Sequence, residues 1–192
     1  MQQRRPQSRV IVGFLSLGLL VGVALTAHPA QAVDAIGPYY AVPSWDQKKA
    51  PANRFVVLTN WASAAVLDKE TGLVWEQSPL TTLHPWDYSA GFLPSALTQC
   101  MSRTTGGRKG WRLPSVHELA SLMDPTKSNP SLPTGHPFTN VQSADYWSAT
   151  TVATNRLFAW TVNFGLGTAY HHAEADTLHA WCVRGGMNAD AY

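Results

Sequence analysis

Five residues with ligating or proton-handling side chains crowd into nine positions near the end of the chain: His171, His172, Glu174, Asp176 and His179. Imidazole and carboxylate together suit zinc or copper, so this stretch is the first place to look for a metal centre. The spacing argues against one. No His-x-His or His-x-x-x-His pattern is present, and if the stretch is a strand, His171 and His172 project to opposite sides. Solvated polar residues on a turn explain the same composition. The expectation is therefore no metal and no other cofactor, with a metal-binding envelope protein using His171, His172, Glu174 and His179 as the alternative.

Thiol chemistry is limited to Cys100 and Cys182, the whole cysteine inventory. In an oxidising compartment an isolated pair reads as a disulfide; a catalytic or metal-binding pair is the other reading. No Ser-His-Asp set or paired-carboxylate motif stands out, so no catalytic residue is nominated and the protein is expected not to be an enzyme.

The compartment follows from the N-terminus. Arg4, Arg5 and Arg9 precede an apolar run over residues 10–25, and Ala30-Gln31-Ala32 supplies small residues where a signal peptidase cleaves. A signal peptide over 1–32 is expected, hence export to the periplasm, the cell surface or the medium with no stable membrane anchor afterwards. The chain carries 14 basic and 12 acidic residues, and removal of those three arginines leaves 11 basic. Near-neutrality without a basic stripe excludes a nucleic-acid partner. Charged residues make up only 14% of the chain and tryptophans number eight, against a charged fraction of roughly 25% in typical soluble proteins. This is a folded domain with a large apolar core.

The elements that would position these side chains run strands, helices, long loop, strands, the pattern of a single α+β domain. Residues 33–54 read as an extended lead-in. Strand candidates at 55–58, 64–67 and 73–75 follow, the last two flanking the polar turn Asp68-Lys69-Glu70-Thr71-Gly72. A first helix begins near Ser95, because Pro94 is tolerated only at a helix start. A second opens on the Ser115-x-x-Glu118 capping box, with Val116, Leu119, Leu122 and Met123 at helical spacing, and ends before Pro125. Residues 124–137 hold four prolines and read as a long ordered loop. Strands are expected at 146–150, 157–164, 168–172 and 177–184.

Five motifs in this order resemble one family: Asp68-x-x-Thr71-Gly72-Leu73-Val74-Trp75; Gly110-Trp111-Arg112-Leu113-Pro114-Ser115-x-x-Glu118-Leu119; Tyr146-Trp147-Ser148-Ala149-Thr150; Ala159-Trp160-x-Val162-Asn163-Phe164-x-x-Gly167; and Cys182-Val183-Arg184-Gly185-Gly186. They resemble the C-terminal domain of bacterial collagen-like adhesins, the Lcl C-terminal family, over about 55–186, with 187–192 left as a tail. The resemblance implies a C-type-lectin-like fold, with two helices packed on short antiparallel sheets and one disulfide joining Cys100 on the first helix to Cys182 on the last strand. It implies structural roles for Trp75, Trp111, Trp147 and Trp160, all buried, for Glu118, and for Arg112, paired with a carboxylate or with backbone carbonyls. Trp45 and Trp86 lie outside the motifs and are the surface candidates.

The resemblance also implies a monomeric, non-catalytic binding module for a glycan, a polysaccharide or a surface protein. Its ligand face would draw on the long loop and the final strands: Asn155, Arg156, Tyr170, His171, His172 and Trp181. Calcium-type lectins carry Glu-Pro-Asn or Gln-Pro-Asp in the long loop and Trp-Asn-Asp on the next strand. Here the loop reads Ser128-Asn129-Pro130 and the strand Thr161-Val162-Asn163-Phe164, too few carboxylates for calcium. Formylglycine-generating enzymes share a lectin-like core and an Arg-Leu-Pro motif, and a relic of one is a further alternative. Their oxidative chemistry needs two redox cysteines beyond a structural staple, and Cys100 and Cys182 are all there is.

Overall fold

Asp68 organises the first hairpin, which explains why the chain reads Asp-x-x-Thr-Gly there. Its carboxylate accepts from the Glu70 N–H (3.0 Å) and the Thr71 hydroxyl (2.9 Å), while Gly72, at φ 73°, donates its N–H to the Asp68 carbonyl (2.7 Å). A left-handed residue closes this turn, and glycine adopts that conformation without a Cβ penalty. The turn joins β2 (Ala65–Asp68) to β3 (Val74–Glu76). These facts come from a computed structural model that describes residues 50–87 and 94–185. The expected signal peptide, most of the lead-in, Trp45 and the tail lie outside the described residues.

The same carboxylate reaches backwards along the chain. One helical turn, α1 (Pro51–Arg54), leads into β1 (Phe55–Val57). Arg54 donates to both Asp68 oxygens, Nε to Oδ1 at 2.9 Å and Nη2 to Oδ2 at 2.7 Å, and Nη2 also reaches the Ser121 carbonyl at 2.8 Å. Residues 51–54 therefore belong to the domain rather than to an extended lead-in. The correction has a clear cause: a guanidinium 2% exposed needs this bidentate partner to be buried at all.

The strands form two antiparallel sheets. The first has the order β1-β2-β3-β7, with β7 at Val183–Arg184. The second has the order β4-β5-β6, formed by Asp145–Val152, Asn155–Asn163 and Thr168–Ala173. Between the sheets in sequence come α2 (Ala96–Met101), capped by Ser95, and α3 (Val116–Ala120), capped by Ser115. Both caps are reciprocal, so each box satisfies two N–H groups, that of the N-cap residue and that of the third helical residue. The architecture is α+β with short helices, as expected.

Two clusters of buried side chains make the core. One gathers Phe55, Trp75, Leu119, Leu122, Tyr146, Phe164 and Trp181; the other gathers Val74, Cys100, Trp111, Leu113, Trp147 and Cys182. The Cys100–Cys182 disulfide, with Cα atoms 5.3 Å apart, ties α2 to the thread entering β7. Trp75, Trp111 and Trp147 are buried as expected. Arg112 pairs with Glu118 through two hydrogen bonds (2.7 and 2.6 Å) and also donates to the Leu113 and Gly185 carbonyls.

Three expectations change. The strand expected over 177–184 is an extended thread of which only Val183–Arg184 forms a ladder. Its carbonyls serve several elements in turn, the His179 O taking the Trp147 N–H, the Ala180 O the Leu80 N–H and the Cys182 O the Glu76 N–H. Trp181, expected on the ligand face, is fully buried, donates its indole N–H to the Glu76 carbonyl (2.8 Å) and meets Phe138 edge-on at 4.8 Å. Trp160, expected in the core, is only partly buried; it points to the face of β5 opposite the buried Ala159 and Thr161.

Candidate functional site

β6 lies at the outer edge of the second sheet, and its register with β5 decides which side chains meet. Cross-strand pairs are Ala159↔His172, Trp160↔His171 and Thr161↔Tyr170. Strand alternation then puts Arg156, Phe158 and Trp160 on one face with His171, and Asn155, Ala159 and Thr161 on the other with Tyr170 and His172. The Glu174 N–H donates to the Leu157 carbonyl (2.9 Å), which sets the phase of the ladder. Backbone groups of Ala169, His171 and Ala173 accordingly point to the open edge.

Aromatic rings collect along that edge. Tyr170, 59% exposed, stacks on His171 with ring centres 4.7 Å apart and planes 15° from parallel. His171 in turn meets Phe158 at 5.6 Å and Trp160 at 5.7 Å, both near perpendicular. One face of the tyrosine ring is thus covered, which holds the phenol in place, and solvent reaches the rest. On the face that Tyr170 shares by strand alternation, His172 meets the tyrosine ring near perpendicular at 5.8 Å and stands between two carboxylates, Nε2 at 3.8 Å from Asp145 and Nδ1 at 3.5 Å from Asp176. Asp145 is itself fixed by the Asn163 amide (3.0 Å), whose oxygen caps the β5–β6 turn by accepting from Gly165 and Leu166. The chemistry available is a flat ring, flanking hydrogen-bond donors and acceptors, and unpaired edge amides. That combination suits a polyhydroxylated ligand with an apolar ring face.

The structure brings together Tyr170, His171 and His172 of the six residues expected to bind. Asn155 and Arg156 lie at the other end of β5: Arg156 stands four positions before Trp160, about 13 Å at 3.3 Å per residue. Asn155 has a local task, its side-chain oxygen accepting the Leu157 N–H (3.1 Å). Trp181 is in the core. Phe158, Trp160, Asp145 and Asp176 take their places, and the alternation of β5 was the signal that placed Phe158 and Trp160 beside His171. Trp86, a surface candidate, is half-buried, with its indole N–H held by the Ser148 carbonyl at 2.7 Å.

The late histidine and acid group is dispersed. His179 stacks on Tyr146 at 5.2 Å with a ring nitrogen 3.2 Å from the Leu80 carbonyl, and burial lowers its pKa. Glu174 lies beside Asp87; burial first, then the Asp87 charge, pushes its carboxyl upwards. Among the described residues no group of three or more His, Cys, Asp or Glu side chains is placed to hold a metal ion.

With this geometry in hand, comparison with known proteins gives one match: residues 64–184 fit the family described as the Lcl C-terminal domain. The match spans more than half of the chain. The protein belongs to the Lcl C-terminal domain family. No curated protein matches the chain. The matched Lcl C-terminal domain runs from one residue before β2 to the last residue of β7, and so contains the disulfide, the whole β6 edge and, Phe55 of β1 apart, the residues named above for both buried clusters. Arg54 and α1 precede it.

Proposed function

We propose that this Lcl C-terminal domain is an exported, non-catalytic binding module that recognises a glycan face at the β6 edge without calcium, within a C-type-lectin-like fold. The observation carrying the reading is the exposed Tyr170 ring held against His171 on an open strand edge. A sugar ring stacks its C–H face on the phenol while its hydroxyls meet His172, Asp145, Asp176 and the outward amides of His171 and Ala173. Because the ring is already held, less side-chain freedom is lost on binding than for a free tyrosine. The carboxylates here are engaged with His172 and Asn163 rather than converging on one point, which supports calcium independence. Export rests on the Ala30-Gln31-Ala32 site and the apolar run before it.

The test is a glycan array probed with the mature chain, with and without EDTA. Retained binding to a discrete glycan class in EDTA is the expected result. Loss of all binding in EDTA contradicts calcium independence, and an array without any bound glycan contradicts the function.

A further inference from the structure

The face of the second sheet that carries Tyr170 and His172 is unevenly charged. Asp145 and Asp176 flank the His172 ring at 3.8 and 3.5 Å. Glu174 stands one residue past β6 but still bonds the Leu157 carbonyl, so alternation puts it on the same side. Asp87 adjoins it: the Trp86 N–H donates to the Glu174 carbonyl (3.0 Å), and burial first, then the Asp87 charge, raises the Glu174 carboxyl. Against these four carboxylates, β4, β5 and β6 hold one arginine and no lysine, and alternation puts that arginine, Arg156, on the other face.

The domain leaves this charge largely unmet. Among the described residues no lysine or arginine pairs with Asp145, Asp176 or Glu174, and Asp145 Oδ1 is buried without a hydrogen-bond partner. His172 offsets one negative charge, and only when protonated. The Asp176 side chain is 51% exposed and Tyr170 59%, so ring and carboxylate are both open to one ligand. Among the described residues no three of the acids and histidines are placed to hold a metal ion. Dispersed carboxylates beside a flat ring suit an extended organic cation.

A tyrosine ring attracts an ammonium group over its face, and carboxylates nearby pull the same way. An anionic glycan meets repulsion here, and an N-acetylated one gains only hydrogen bonds. We infer that the β6 edge, taken as the glycan site proposed above, selects polysaccharides that carry free amino groups, with the sugar ring on Tyr170 and its ammonium group against Asp176.

Titration calorimetry on the mature chain at about pH 7, where an amine titrating at ~8 is still mostly protonated, tests this. The probes are linear trisaccharides of glucosamine and of N-acetylglucosamine, a trigalacturonate and trilysine. The glucosamine trisaccharide should bind at least about fivefold more tightly than the acetylated one, and the trigalacturonate should not bind. Asp176→Asn should weaken the glucosamine trisaccharide more than the acetylated one, so that the preference collapses, whereas Tyr170→Ala should weaken both. Equal or tighter binding of the acetylated trisaccharide, lost in Tyr170→Ala, overturns the amino-sugar selection and leaves the β6 site standing. Glucosamine binding that survives both substitutions removes the site and the selection together. Binding of neither trisaccharide, or trilysine bound as tightly as the glucosamine trisaccharide, also overturns the selection.

Discussion

Asp68→Ala should be among the most destabilising single changes in the domain. It deletes both acceptors of a guanidinium that is 2% exposed and the acceptor of the Thr71 hydroxyl and Glu70 N–H. Breaking one side of a buried ion pair costs about 3–5 kcal/mol. Thr71→Ala removes one hydrogen bond to the same carboxylate and should cost about 1.5–3 kcal/mol. Lys69→Ala, exposed on the same turn, should stay within about 0.5 kcal/mol. Urea unfolding followed by tryptophan fluorescence reads the series. With a slope of about 2 kcal/mol/M, Asp68→Ala moves the midpoint down by roughly 1.5–2.5 M at unchanged slope. A loss below about 1 kcal/mol, or one smaller than that of Thr71→Ala, would refute the view that this network clamps α1 to the first sheet.

Thiol labelling of denatured, unreduced protein should find no free cysteine, and Cys182→Ser should lower Tm by about 10 °C, since the bond closes a long loop; two labelled thiols would contradict this. Burial lowers the His136 and His179 pKa values, so their stabilising share is complete above the unfolded value near 6.5 and is lost as pH falls through the folded values. Tm should therefore drop between pH 7 and 5, and less so in His179→Gln. Burial alone would raise the Glu118 carboxyl, but hydrogen bonds from Arg112 and Ser115 outweigh it and hold it below 4.5; that contribution is lost only in more acid solution, and Glu118→Gln should flatten the acid limb. Gly106 sits at φ 65° with a hypothetical Cβ 2.8 Å from the Trp61 Cβ, so Gly106→Ala should cost at least the ~1–2 kcal/mol of a left-handed residue, measured by the same urea titration.

Local signals survived into the structure where neighbours in sequence settle the outcome. The Ser115-x-x-Glu118 box, the Asp68–Gly72 turn and the β5–β6 hairpin depend on hydrogen bonds spanning a few residues, and their residue types name them. Trp111-Arg112-Leu113-Pro114 was legible for the same reason, Arg112 meeting Glu118 six residues on. Long-range pairing was not legible. Nothing in the text of residues 51–54 announces that Arg54 meets Asp68 and Ser121, and the thread at 177–184 alternates its partners among β3, β4 and the chain before α2. Trp160 and Trp181 exchanged places for one reason: both are tryptophans in strand-like stretches, and only the folded packing shows that Trp160 is left partly exposed on β5 while Trp181 enters the core.

Titration calorimetry with the glycan best retained on the array, comparing wild type with Tyr170→Ala/His172→Ala, bears most directly on the binding role of the β6 edge. Loss of one stacked aromatic anchor costs about 1–3 kcal/mol, so affinity should fall at least fivefold to tenfold while Tm stays within a few degrees of wild type. Trp111→Ala, which empties a site 2% exposed and removes two indole hydrogen bonds, should instead unfold the domain. Wild-type affinity in the double variant, with an unchanged Tm, would place the glycan away from β6 and contradict the account.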